Sequence, residues 1–138
     1  MDGNYPQRGV TIYKKRAQQG RDFSGLRYAN ITPTDIDAFI EYHDKCYVFI
    51  EAKMPNAAFP HGQKLALERL CDDLQKIKPT LLILMSHETP VEEEIDFANA
   101  RVEKYRYKGY WKIPGMACTV REFLDSFLKA MDKKRSEA

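Results

Sequence analysis

Two runs of the chain decide how the rest is read: Ile31-Thr32-Pro33-Thr34-Asp35-Ile36-Asp37-Ala38-Phe39-Ile40 and, shortly after it, Tyr47-Val48-Phe49-Ile50-Glu51-Ala52-Lys53. Both are rich in the β-branched and aromatic residues that suit a half-buried pleated surface. His43-Asp44-Lys45 lies between them as a polar turn. The pattern predicts strands over residues 35–42 and 46–52, paired as a hairpin, with charges collected at the ends remote from the turn. Pro33 lacks an amide proton and so belongs at a strand start or edge.

Side chains alternate along a strand, so Glu51 and Lys53 share a face with Phe49 and Tyr47. Asp35, Asp37, Phe39 and Glu41 share a face on the preceding strand. A turn centred on Asp44 sets Phe39 opposite Phe49, Asp37 opposite Glu51 and Asp35 opposite Lys53. Directly opposed side chains sit about 5 Å apart at Cβ, close enough for two carboxylates to hold one divalent ion. A slip of one residue sends Asp37 to the other face and removes the pair.

Working outward, residues 1–10 read as a loose arm, and residues 11–19 as a short basic helix stopped by Gly20. Residues 21–30 read as a loop with a short strand around 26–29. After the proline-bounded loop 54–60 the apolar period changes: Leu65, Leu67, Leu70, Leu74 and Ile77 predict a helix over 61–78, with the leucine row as core and Pro79 as the stop. Residues 80–86 are continuously apolar, as in a strand covered on both faces. Residues 90–99 are acidic and read as a loop or short helix. Residues 101–111 read as one strand of alternating basic and aromatic residues. Thr119 caps a last helix that carries Val120, Phe123, Leu124, Phe127 and Leu128 on one face. Residues 133–138 read as a charged tail. The expected class is α/β, a central mixed β-sheet flanked by helices, in a single domain over 1–138.

The totals allow this. A chain of 138 residues, 43% hydrophobic and 30% charged, can build one core. A net charge of +2 neither requires nor excludes a polyanionic partner. Cys46, Cys71 and Cys118 are odd in number and widely spaced, which argues against a disulfide framework or zinc site and fits a reducing cytoplasm. The N-terminal residues lack the apolar core of a signal peptide, and the apolar run at 81–85 is too short to cross a bilayer.

Hard carboxylate oxygens from Asp37 and Glu51 suit Mg²⁺ or Mn²⁺, with the Ala52 carbonyl as a further ligand. Such an ion lowers the pKa of a bound water and neutralises charge on a phosphate oxygen. The Lys53 ammonium is placed to stabilise the transition state or orient the attacking water. An acid-x-Lys triplet alone is weak, since about two arise by chance at this composition. The triplets here are Glu51-Ala52-Lys53 and Asp132-Lys133-Lys134, and only the first has an apolar strand before it and an amphipathic helix after it.

With Asp37, Glu51-Ala52-Lys53 and Gln63 in place, the segment 25–84 resembles the PD-(D/E)XK nuclease superfamily, and is most similar to its small phage or prophage nucleases. The resemblance implies a restriction-endonuclease-like fold and Mg²⁺-dependent hydrolysis of DNA phosphodiesters. It implies carboxylates that bind magnesium, a lysine that assists catalysis and a glutamine that opens the following helix. Two positions depart from the family pattern. Its Pro-Asp is Pro33-Thr34-Asp35 here, so Asp35 competes with Asp37 for the metal; the hairpin register favours Asp37, leaving Asp35 as its neighbour or a partner of Lys53. The first helix offers Gln18 and Gln19 where members often have a glutamate.

For DNA contacts, the basic residues Lys14, Lys15 and Arg16, together with Arg106, Lys108 and Trp111 in the aromatic-basic strand, are candidates for tracking phosphates and stacking on bases. The plainer reading makes them an ordinary solvated face and sheet core. His61 and His87 lie near the expected site mouth but are more simply polar surface, and His43 lies at the turn end. The competing functional class is a nucleic-acid-binding or assembly module with the same fold and no catalysis. A homodimer is compatible with either, and no membrane partner is expected.

Overall fold

The computed structural model describes residues 20–55 and 57–137. They fall into two compact units that part after Pro33. Residues 20–33 contain a 3-10 turn, Ser24–Leu26, and an isolated antiparallel bridge between Tyr28 and Ile31 closed around Ala29 at φ 57°. The strand expected over 26–29 is thus a turn and a single bridge. The helix expected over 11–19 lies outside the described residues.

From Thr34 onward the chain builds one five-stranded sheet and two helices. In chain order these are β1 (Ala38–Tyr42), β2 (Cys46–Lys53), α1 (His61–Gln75), β3 (Thr80–Ser86), β4 (Arg101–Tyr107), β5 (Tyr110–Lys112) and α2 (Val120–Glu137). The sheet order follows the chain, β1-β2-β3-β4-β5. Only β2 and β3 are parallel, because α1 carries the chain back across the sheet between them; the other pairs are antiparallel. The mixed α/β sheet flanked by helices is as expected.

Alternation on β2 and β3 feeds two apolar layers. Val48, Ile50, Leu81, Ile83, Met85 and Val102 face α2, where Val120 is buried and Phe123, Leu124, Phe127 and Leu128 pack against them. Phe49 and Leu82 face α1 and meet Leu67 and Cys71, with Tyr47, Phe59, Leu74 and Trp111 around them. The α1 stripe is therefore Leu67, Cys71 and Leu74, at intervals of four and three. Leu70, expected in the core, turns outward at 37% exposure, and Ile77 is more exposed still. Reciprocal bonds between Thr119 and Glu122, amide to side chain in both directions, start α2 as a capping box. The helix runs to Glu137, so residues 133–137 extend it where a tail was expected.

Three boundaries differ for local reasons. α1 ends at Gln75, since Pro79 disfavours helical geometry in the residue before it; Gln75 Oε1 then accepts the amide of Thr80, the first residue of β3. The strand expected over 101–111 folds back on itself at Lys108-Gly109, whose φ values of 54° and 85° make a tight hairpin turn. The first strand of the hairpin starts at Ala38, with Asp35 and Asp37 just ahead of it. Among the described residues no helix is long and apolar enough to cross a membrane.

Candidate functional site

The β1–β2 pairing is Phe39 with Phe49, Ile40 with Val48 and Tyr42 with Cys46, a register centred on Asp44. His43 and Asp44 both take positive φ to close the turn, and the Glu41 carboxylate accepts the Asp44 amide. Continuing that register past Ala38 brings Asp37 level with Glu51. Regular strand pairing stops there, and side chains take over the backbone bonds. The Asp37 amide donates to Glu51 Oε1 at 3.0 Å, and the Ala52 amide donates to Asp37 Oδ2 at 2.8 Å. The amide and carbonyl of one strand residue point to the same side, so the Ala52 carbonyl lies on the Asp37 edge of β2.

Glu51 is 3% exposed, on the face of β2 that meets α1. From the first turn of α1, Gln63 Nε2 donates to Glu51 Oε2 at 2.8 Å. Both oxygens of this buried carboxyl are thus held by neutral donors. Burial pushes the Glu51 carboxyl up to about 7, the Asp37 amide bond opposes the rise, and the negative charges of Asp37 and Asp35 add to it. Asp37 itself is exposed, so the burial penalty falls on Glu51, and a cation beside this like-charged pair relieves it there.

Lys53 ends β2. Its ammonium donates to the Ala57 carbonyl at 2.8 Å and pairs with Glu103 Oε1 at 3.0 Å. Glu103 escaped the sequence reading because its position depends on an irregularity in β4. Leu84 pairs with Lys104 and Met85 with Val102, so Glu103 is the extra residue of a β-bulge.

The structure brings Asp37, Glu51, Ala52 and Gln63 together, with Asp35 near enough to influence Glu51 electrostatically. Among the described residues no three His, Cys, Asp or Glu side chains converge to hold an ion. The protein's offering to a cation at this place is therefore two carboxylates and a backbone carbonyl. A hard divalent ion that keeps several waters fits such a donor set. Each bonded carboxylate oxygen retains a second lone pair for it.

The aromatic-basic candidates divide differently. Arg106 is bound bidentately to Asp72 of α1, at 3.0 and 2.8 Å, and lies 3.4 Å from Glu68. Trp111 Nε1 donates to the same Glu68 at 2.6 Å. Both side chains are engaged in fastening β4 and β5 to α1. Lys104 and Lys108 rest on the rings of Trp111 and Tyr107. Lys14, Lys15 and Arg16 lie outside the described residues. His61 is exposed at the start of α1, and the amide of His87 donates to the Lys53 carbonyl at 3.0 Å.

No family model matches the chain, and neither a curated protein nor a solved structure shows a significant similarity to it.

Proposed function

We propose that this domain is a Mg²⁺-dependent deoxyribonuclease of restriction-endonuclease-like fold, with Asp37, Glu51, Lys53 and Gln63 as its working residues. The observation that carries the reading is the carboxylate pair at the end of β1 and β2. A buried acid and a second carboxylate are held together by neutral donors, one of them Gln63, at the strand ends of an α/β sheet. An ordinary structural polar cluster matches charges, and this one concentrates a single sign.

In this reading Asp37, Glu51 and the Ala52 carbonyl hold Mg²⁺, or Mn²⁺ in its place. When bound, the ion supplies charge neutralisation at a phosphate oxygen and a more acidic water. Gln63 keeps the Glu51 carboxylate in one orientation through Oε2. Asp37 is oriented by the Ala52 amide, so both carboxylates are set before substrate arrives. Lys53 places a positive charge where the phosphorane develops negative charge. Water supplies the oxygen that bonds to phosphorus and gives up a proton to solvent, one P–O ester bond breaks, and the departing oxygen is protonated from solvent.

The test is cleavage of plasmid and oligonucleotide DNA with Mg²⁺ or Mn²⁺. Lys53→Ala and Glu51→Ala are each expected to lose at least about 100-fold in rate, the usual scale for one electrostatic or acid–base group. Undiminished cutting by both variants overturns the assignment. One feature favours a second reading, a nucleic-acid-binding or assembly module without catalysis: Lys53 already has two internal partners. That reading expects salt-dependent DNA binding and no metal-dependent cutting by the wild type.

A further inference from the structure

We infer that Glu103 is a positioning residue that fixes the Lys53 ammonium at the end of β2, beside the Ala57 carbonyl; the inference rests on the nuclease reading for what Lys53 does, and on geometry alone for how it is held. Three observations carry it. The Lys53 side chain is only 12% exposed, so its charge needs a partner inside the fold. Glu103 Oε1 stands 3.0 Å from Nζ, and the Ala57 carbonyl accepts a second bond at 2.8 Å. A lysine ammonium has three N–H donors in tetrahedral arrangement. With two directions taken, the third is fixed.

The bulge explains how a glutamate comes to be there. Lys104 and Arg106, opposite Leu84 and Leu82, lie on the α1 side, whereas Val102, opposite Met85, is buried in the layer beneath α2. In an unbroken ladder Glu103 would take Val102's place opposite Met85, and its carboxylate would enter the apolar layer beneath α2. The extra residue gives that place to Val102 and frees Glu103 to reach Lys53, two strands away across β3. Bulges re-aim single side chains in this way without altering the rest of a sheet. Glu103 is 38% exposed, and it is Oε1 that faces the ammonium.

The test compares the wild type with Glu103→Gln, Glu103→Asp and Lys53→Ala by two measurements. The first is DNA cleavage. Glu103→Gln is expected to lower kcat about 10-fold with KM for DNA unchanged, the pattern of an interaction used in the transition state. Glu103→Asp is expected to restore part of the loss. The second needs no activity: the rate at which Lys53 is acetylated by a small anhydride, read by mass spectrometry of the intact fold. Lys53 is expected to react slowly in the wild type and several-fold faster in Glu103→Gln.

An unchanged acetylation rate in Glu103→Gln overturns the hold itself. A faster rate with unchanged kcat, while Lys53→Ala is inactive, overturns the positioning role. A wild type that cuts no DNA overturns the nuclease reading and the positioning role with it, and a faster acetylation rate in Glu103→Gln then leaves the contact standing as a structural one.

Discussion

Two polar clusters share the α1 face of the sheet, and they are built on opposite principles. In one, Arg106 stands among Asp72, Glu68 and the Trp111 indole, with opposite charges in contact and donors on both oxygens of Asp72 and on Oε2 of Glu68. In the other, Glu51 and Asp37 sit side by side with only neutral donors around them. The first ties β4 and β5 to α1 and is complete without any ligand. The second carries an excess of one sign with one of its two carboxyls buried, an arrangement that adds little to stability by itself. Polar residues alone therefore do not mark a site on this face; the sign balance among them separates a fastening from a candidate site.

The comparison is broken most directly at Glu51. Its pKa is about 7 in the fold, against 4.5 as its ordinary value. The folded state therefore binds the proton more tightly than the unfolded chain. The stability this provides is whole below pH 4.5 and is lost as pH rises from there through about 7, above which the fold carries a buried charge. Glu51→Gln removes that charge at every pH. In metal-free buffer it should be more stable than the wild type at pH 8 by roughly 3 kcal/mol. The advantage should close as pH falls toward 5, in urea titrations at the two pH values. A variant less stable than the wild type at pH 8 would place Glu51 with the fastenings.

Arg106 sharpens the other side. Arg106→Ala leaves Asp72 and Glu68 facing each other without their cation. A fully buried pair loses more on such a change, but the partial exposure of Asp72 softens it, so about 2 kcal/mol is expected. The thermal shift produced by Mg²⁺ should be the same as in the wild type. If Arg106→Ala abolished the Mg²⁺ response, the two clusters would be one system. Trp111→Phe keeps an aromatic ring but removes the bond to Glu68 and part of the indole's packing; a loss of about 1–2 kcal/mol is expected, measured by thermal unfolding.

The hairpin register was legible from residues because apolar alternation on both strands and one polar turn leave a single way to bury both faces. The same logic marked Asp37 and Glu51, whereas Gln63 came only through the resemblance to the PD-(D/E)XK nucleases. It did not reach Glu103, because a bulge is set by what β3 and α2 require of Val102, and nothing in the neighbouring residues announces it. Arg106 and Trp111 carried a nucleic-acid expectation because aromatic-basic alternation looks the same on a bound surface and on an internally wired one. Only the pitch of α1, which turns Glu68 and Asp72 toward β4, tells them apart. The fold-back at Gly109 rests on positive φ at Lys108 and Gly109, which the continuous basic-aromatic alternation of residues 101–111 masks. Leucine spacing alone points Leu70 inward, but Cys71, small and apolar, holds the inward position.

The bulge also bears on the order in which the site comes into being. The bonds joining Asp37, Glu51, Ala52 and Gln63 span sequence separations of only 12 to 15 residues. They can close as soon as the hairpin and the first turn of α1 do. The contact between Lys53 and Glu103 waits for β3 to be inserted and for β4 to pair with it in its shifted register. Contacts of long sequence separation form late and depend on more of the sheet remaining closed. A partial opening between β3 and β4 would therefore release Glu103 from the lysine while leaving the carboxylates together. In such an intermediate the domain would keep the carboxylate pair proposed to hold a cation after losing its hold on the group proposed to act on the phosphate.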